Sequence, residues 1–197
     1  MIRPRGGDFL YSEFELEMMA IDIKTAKELG AHGIVLGLLN QYGTVDLKNT
    51  QRLIESAGPL PVTFHRAIDM SNNIFDAVEQ LMQLKLQNIL TSGGCANALL
   101  GVNAISRMID IAAGKINIMA GAGVAANNLA QLHAAGVRHF HSSASETVPG
   151  KMLFTREGIS MKSNSQTDEY SMQIASFQKI KALRTQLDLL CRNDEHH

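Results

Sequence analysis

Residues 33–39, Gly-Ile-Val-Leu-Gly-Leu-Leu, form a short and continuous apolar run. Such a run is typical of a β-strand that is covered on both faces. Residues 12–29 before it carry apolar side chains at helical spacing and are followed by Gly30, a residue type favoured at helix ends. Residues 46–57 after it form a second predicted helix, which begins at Asp46. The order of helix, buried strand and helix indicates an α/β protein with a parallel sheet.

The same alternation continues to residue 141. Predicted strands occupy 60–66, 88–91, 115–120 and 137–141, and predicted helices occupy 73–84, 97–112 and 126–135. Residues 1–5 have the pattern of the end of one further strand, with no strand body in front of it. Each connection has the length of a βαβ crossover. Periodicity alone leaves two architectures open, a doubly wound sheet and an eight-fold β/α barrel.

The composition is that of a soluble globular protein. The chain has 197 residues, of which 45% are apolar and 19% charged, with a net charge of -1. We expect one domain over 1–197, with an irregular segment at 146–166 and a closing helix at about 168–190. The balanced charge provides no basic surface for nucleic acid, and no apolar stretch has the length of a membrane span. Two cysteines without disulfide or metal-motif spacing indicate a reduced, cytoplasmic protein.

Polar residues and glycines stand at the C-terminal ends of nearly all the predicted strands. They are Arg3, Arg5, Asp8, Asn40, His65, Arg66, Asp69, Thr91, Ser92, Gly93, Gly94, Gly121, Gly123, His141, Ser142 and Ser143. Both architectures place their active sites at these ends. The sequence therefore predicts one functional rim, formed by the loops that follow the strands.

The basic residues of this rim suit an anion. Arg3 and Arg5 flank Pro4, and two guanidinium groups at a cleft match a carboxylate or a phosphate. The equal alternative is that one of them pairs with an acidic residue and holds loops together. The candidate anion-binding set is Arg3, Arg5, Arg66, Ser92, Gly93, Gly121, Gly123 and Ser142. The glycines let backbone N–H groups approach an anion at a helix start; tight turns without a ligand are the alternative.

Titratable residues of the rim are candidates for catalysis or for metal binding. His65, His141 and Asp69 are the candidate acids and bases, and a hydrogen-bonded structural role for His65 is the alternative. His139 and His141 are two residues apart on a strand, so they share one face and are candidate metal ligands. Cys95 lies beside the same rim and is a further candidate ligand.

Several segments together resemble one family. They are Ile2-Arg-Pro-Arg-Gly-Gly-Asp-Phe9, Tyr11-Ser12, Pro61-Val-Thr-Phe-His-Arg-Ala67 with Asp69, Leu90-Thr-Ser-Gly93, Ile118-Met-Ala-Gly-Ala-Gly-Val124, His141-Ser-Ser143 and Asp168-Glu-Tyr170. In this order they resemble the CutC copper homeostasis proteins over essentially the whole chain. The resemblance implies a TIM-like β/α barrel, a cytoplasmic homo-oligomer and copper binding, with no securely attached catalytic reaction.

The resemblance gives residues 1–5 a place in the family fold. They correspond to the end of the family's third strand, so the expected fold is an incomplete barrel that lacks about the first two βα units and most of the third strand. The family's cysteines that are suspected copper ligands lie mainly in those units, and Cys95 and Cys191 do not match them. A start at an internal Met, a degraded gene copy and an open sheet covered by a partner subunit all remain open.

Three functions remain open at this point. The first is a cytoplasmic copper homeostasis protein, with copper as the ion implied by the resemblance. The second is a TIM-barrel enzyme or sensor for a small anionic metabolite, with a phosphate or carboxylate group. The third is a non-catalytic truncated remnant whose sheet edges serve only assembly.

Overall fold

The computed structural model describes residues 1–156, 158–159 and 169–194. Its helices are α1 (Glu13–Glu28), α2 (Leu47–Ala57), α3 (Ile74–Leu81), α4 (Val102–Ala112), α5 (Leu129–Ala134) and α6 (Phe177–Asp194). Its strands are β1 (Ile34–Leu36), β2 (Val62–Phe64), β3 (Asn88–Thr91), β4 (Asn117–Ala120), β5 (His139–Phe140), β6 (Ser145–Pro149) and β7 (Ser171–Ala175). The described chain forms two compact units, residues 1–142 and 143–197.

The first unit contains a five-stranded sheet with the order β1-β2-β3-β4-β5. All four strand pairs are parallel, which confirms the predicted α/β class. Because the spatial order follows the chain without a reversal, the winding is that of a β/α barrel and not of a doubly wound sheet. The N–H group of Ile2 donates to the Val35 carbonyl at 2.8 Å. The N-terminal segment therefore lies beside β1, where the end of a further strand was predicted.

The two faces of the sheet differ in character. The side chains of Ile34, Leu36, Val62, Phe64, Ile89 and Ile118 are buried, and they alternate with half-buried residues along each strand. The half-buried residues form what we call the inner face: Val35, Thr63, Asn88, Leu90, Asn117 and Met119. On this face the Asn117 amide donates to Asn88 at 3.0 Å, and the Asn88 amide donates to Thr63 at 3.0 Å. A polar ladder thus ties three neighbouring strands together.

Capping side chains explain why three of the six predicted helices begin where they do. Ser12 and Glu15 form a capping box at the start of α1. The Asp46 side chain accepts from Asn49 N–H at the start of α2, and Asn73 caps α3 in the same manner. These caps are local in sequence, and the predicted starts agree with the structure.

Helices α4 and α5 begin later than predicted because of their loops. Gly101 packs directly on the backbone of the loop that follows β3, residues 92–96, which we call the β3 loop. A Cβ at Gly101 would lie 1.9 Å from the Ser92 carbonyl oxygen. This contact holds residues 97–101 in turns. Before α5, the Asn128 side chain accepts from Ala125 N–H and donates to the Gly123 carbonyl. That local bonding competes with helical bonds.

The second unit differs from its predicted structure. Part of the segment predicted as irregular, 146–166, forms β6, which pairs antiparallel with β7. The closing helix, predicted for about 168–190, is α6 and begins at Phe177, because residues 171–175 pair in the sheet. The remainder of both predicted segments lies partly outside the described residues.

We expect Gly101→Ala to destabilise the protein. The added methyl group meets backbone atoms that cannot move independently, so the free energy of unfolding should fall by about 1–3 kcal/mol. Gly6→Ala is the matched control, since a Cβ at Gly6 has no heavy atom within 4 Å. Urea denaturation of both variants measures the difference, and equal stability would contradict this packing.

Candidate functional site

The carboxylate of Asp69 is at the centre of the rim. A short 3₁₀ turn, Arg66–Met70, follows β2 and carries Asp69 beneath the β3 loop, where its side chain is 5% exposed. One carboxylate oxygen accepts from the Thr91 hydroxyl at 2.5 Å and from the N–H groups of Ser92 and Gly94 at 3.0 and 3.1 Å. Asp69 thereby fixes the β3 loop to the end of β2.

Arg66 and Ser92 complete this cluster. Arg66 Nε lies 2.7 Å from the second Asp69 oxygen, and Arg66 Nη2 donates to the Ser92 hydroxyl at 2.8 Å. The Ser92 hydroxyl is also 2.6 Å from the Cys95 carbonyl oxygen. The Gly93 N–H donates to the Thr91 hydroxyl at 2.8 Å. The structure thus brings together the predicted residues Arg66, Ser92 and Gly93, around the chain's own carboxylate.

Arg5 is held within its own loop. Its Nε lies 2.6 Å from Glu15 and its Nη1 lies 3.0 Å from Asp8, while Nη2 donates to the Leu10 carbonyl at 2.6 Å. The hydrogen bonds with Glu15 and Asp8 raise the pKa of Arg5. These contacts correspond to the loop-holding alternative that the sequence left open for this pair of arginines.

Arg3 has a different environment. Its guanidinium group is over the Phe9 ring, 4.9 Å from the centroid, and Nη2 donates to the Gly7 carbonyl at 2.9 Å. No carboxylate of the described residues forms an ion pair with Arg3. Arg3 is therefore a cation at the rim that no acidic side chain of the described residues neutralises.

His65 is buried at the end of β2, with 6% of its surface exposed. Its Nδ1 accepts from the Ala67 N–H at 3.1 Å, so the neutral ring carries its proton on Nε2. Within the described chain, Nε2 has no hydrogen-bond partner. Burial, assisted by the charge of Arg3, lowers the pKa of His65 to about 4. The imidazole is consequently neutral at physiological pH.

Sequence analysis did not single out Tyr11 as a site residue. Its side chain is 8% exposed, and its hydroxyl has no partner that meets hydrogen-bond geometry among the described residues. Burial raises the pKa of Tyr11, whereas the charges of Arg3 and Arg5 and the approach of the Arg3 guanidinium group to the hydroxyl act in the opposite direction. Since guanidinium only donates, the proton of the hydroxyl still has no acceptor among the described residues. The sequence signals for it were its place in the Tyr11-Ser12 segment of the family resemblance and its closeness to Arg3 and Arg5 along the chain.

The loop after β4, which contains Gly121 and Gly123, is held in place by contacts within the protein. Gly121 N–H donates to the Thr91 carbonyl at 2.9 Å, and a Cβ at Gly121 would be 2.6 Å from the Leu90 side chain. Gly123 has a φ of +72°, which favours glycine. The Ser142 hydroxyl donates to the Val124 carbonyl at 2.7 Å. These are the contacts of tight-turn packing, the second of the two interpretations that the sequence left open.

The candidate metal ligands His139, His141 and Cys95 do not all lie in one part of the structure. Met119 pairs with His139 in the β4-β5 register, and a Cβ at Gly121 would lie 3.7 Å from the His141 Cβ. Both imidazoles therefore lie on the inner face with Met119. Cys95 lies in the β3 loop and is half-buried. Among the residues that the structure describes, no three His, Cys, Asp or Glu side chains form a metal-binding group.

Comparison with known proteins identifies the family. The CutC family model matches residues 1–146, which is most of the chain. The chain belongs to the CutC family. A family protein CutC from Parabacteroides distasonis is 43% identical over 183 residues, covering 92% of this chain and 75% of the relative. A second from Salmonella schwarzengrund is 46% identical over 171 residues, covering 87% and 68%.

Solved structures show the same fold as the family match. The CutC of Streptococcus agalactiae, described as a proposed copper homeostasis protein, superposes with a TM-score of 0.68 at 32% identity, covering 71% of this chain and 69% of that one. A structure described as native KDPGal has a TM-score of 0.53 at 14% identity, covering 95% and 69%, and indicates the fold alone. The predicted TIM-like fold is confirmed. Within the described ranges, no helix has the length and hydrophobicity of a membrane span.

We expect Asp69→Asn to destabilise the protein strongly. The amide would turn N–H donors toward the N–H groups of Ser92 and Gly94, and Arg66 would lose its counter-ion. The free energy of unfolding should fall by about 3 kcal/mol. Asp8→Asn is the control, because the Arg5–Asp8 pair is exposed and should contribute less than about 1 kcal/mol. Urea denaturation of both variants provides the comparison.

His65 should make stability dependent on pH. Its pKa falls from the usual 6.5 to about 4 on folding, so between these values the unfolded chain binds more protons than the folded chain. Stability should therefore rise with pH in this window, by at most about 1.4 kcal/mol per pH unit. In urea denaturation at a series of pH values, His65→Gln should flatten this dependence. The same change at exposed His32 should leave it intact.

Proposed function

We propose that this chain serves copper homeostasis in the cytoplasm by binding Cu(I) on the inner face of its sheet. Family membership supports the proposal, because the Streptococcus agalactiae relative is described as a proposed copper homeostasis protein. The observation that carries it is the β4-β5 register, which aligns Met119 with His139. His141, two residues further along the chain, shares that face.

The donor set suits the reduced ion. Cu(I) prefers soft thioether and thiolate ligands and also accepts imidazole, whereas hard oxygen ligands favour other metals. Met119 supplies a thioether, and His139 and His141 supply imidazoles. Both imidazoles are exposed and Met119 is half-buried, so an ion can reach them without unfolding the sheet. The two free cysteines are consistent with a reducing compartment.

Anaerobic titration with Cu(I) against a chromophoric Cu(I) chelator tests the proposal. The wild-type chain should bind Cu(I), and Met119→Leu combined with His139→Asn should weaken binding by about tenfold or more. Leu conserves the volume of Met, so folding should be retained. Met18→Leu combined with His32→Asn is the matched control on exposed residues of the same types.

Two further outcomes separate this site from its rivals. The double variant Cys95→Ser, Cys191→Ser should bind Cu(I) as the wild-type chain does. Loss of Cu(I) binding in this variant would assign the ion to the thiols and overturn the inner-face site. A Met119→Leu variant should lose affinity for Cu(I) and keep its affinity for Zn²⁺, because a thioether discriminates between them. Absence of Cu(I) binding by the wild-type chain would refute copper binding altogether.

A further inference from the structure

Two buried polar atoms near the start of the sheet lack partners. They are His65 Nε2 and the Tyr11 hydroxyl, in side chains that are 6% and 8% exposed. Buried polar atoms in folded proteins nearly always have a hydrogen-bond partner, from the protein, ordered water or a ligand. Neither atom finds one within the described residues. Both residues therefore indicate a group that the described residues do not supply.

The chemistry of these atoms specifies what that group is. Because His65 Nδ1 accepts the Ala67 N–H, Nε2 carries the proton and is a donor. The Tyr11 hydroxyl is a donor as well as an acceptor. A group that accepts from both donors needs more than one oxygen.

A positive charge lies beside both donors. The Arg3 guanidinium stacks 4.9 Å from the Phe9 ring centroid, and that ring lies 5.2 Å from the His65 ring. Its charge influences the pKa of His65 and of Tyr11 alike, which places it within electrostatic range of the two. Arg3 pairs with no carboxylate of the described chain. The acceptor should therefore be anionic.

The backbone around this cluster keeps space for the imidazole. Gly37 follows β1, and a Cβ there would lie 2.4 Å from His65 Nδ1 and 3.0 Å from the Ala67 Cβ. The N-terminal segment is anchored next to β1 through the Ile2–Val35 hydrogen bond. Arg3 and His65 are thus carried by segments on either side of β1, and Gly37, which has no side chain, follows β1.

We propose that Arg3, His65 and Tyr11 form a binding site for a small oxyanion, of the carboxylate or phosphate type. Phe9, which is half-buried, packs on both Arg3 and His65. The site is separate from the Asp69 cluster, where the N–H groups of Ser92 and Gly94 already bind a carboxylate. It shares no residue with the inner-face donors of copper.

Titration with inorganic phosphate and with acetate, each against chloride at equal ionic strength, tests the site. Calorimetry and melting temperature should both report binding by the wild-type chain. Arg3→Met should abolish it, and Arg52→Met, at an exposed arginine paired with Glu13, should not. Binding of phosphate alone assigns a phosphorylated ligand, and binding of acetate alone assigns a carboxylate ligand. No binding of either anion, or equal binding by Arg3→Met, overturns the proposal.

Tyr11→Phe distinguishes ligand binding from a structural role. The change removes a hydroxyl whose proton has no acceptor among the described residues, so the unliganded variant should melt at or above the wild-type temperature. Its affinity for the bound anion should fall about tenfold. Tyr42→Phe, at an exposed tyrosine, should change neither quantity. A lower melting temperature together with unchanged affinity would assign the hydroxyl to the fold and contradict the site.

Discussion

The buried carboxylate of Asp69 is the interaction on which the rim depends. A carboxylate that is 5% exposed is stable only when its oxygens receive hydrogen bonds and a counter-charge. Thr91, Ser92 and Gly94 supply the bonds and Arg66 supplies the charge. Those donors lie at the end of β3 and in the loop that follows it, so the conformation of this loop is dictated by the end of β2. The close packing of Gly101 on this loop follows from the same arrangement.

This constraint separates the polar residues of the rim into two groups. Arg5 and Arg66 have acidic partners of their own and act on loop structure. Arg3, His65 and Tyr11 retain a charge or donors without an acceptor in the described chain. Residue type alone does not reveal this difference. The difference arises because acidic side chains of the rim lie against Arg5 and Arg66. Arg3, His65 and Tyr11 have no such acceptor among the described residues.

The order of helices and strands was predictable because its signals are local. Ser12, Asp46 and Asn73 cap helices within three residues of their own positions, and apolar runs identify the buried strands. The partners of Asp69 are not local, since Thr91 and Ser92 follow it by 22 and 23 residues. Sequence analysis therefore named Asp69 as a candidate acid or base and could not identify its donors. The β6-β7 pairing was missed for the same reason, because its strands are far apart in sequence.

The state of His65 bears on which chemistry it can perform. With Nδ1 occupied by the Ala67 N–H and the proton on Nε2, the ring offers no free lone pair to a metal ion without losing that bond. A pKa of about 4 also leaves little imidazolium at neutral pH to act as an acid. A neutral donor beside a cation is suited to holding an oxyanion in place. Binding of a soft metal ion is then left to Met119, His139 and His141. The proposed oxyanion and the proposed Cu(I) ion therefore bind to different residues.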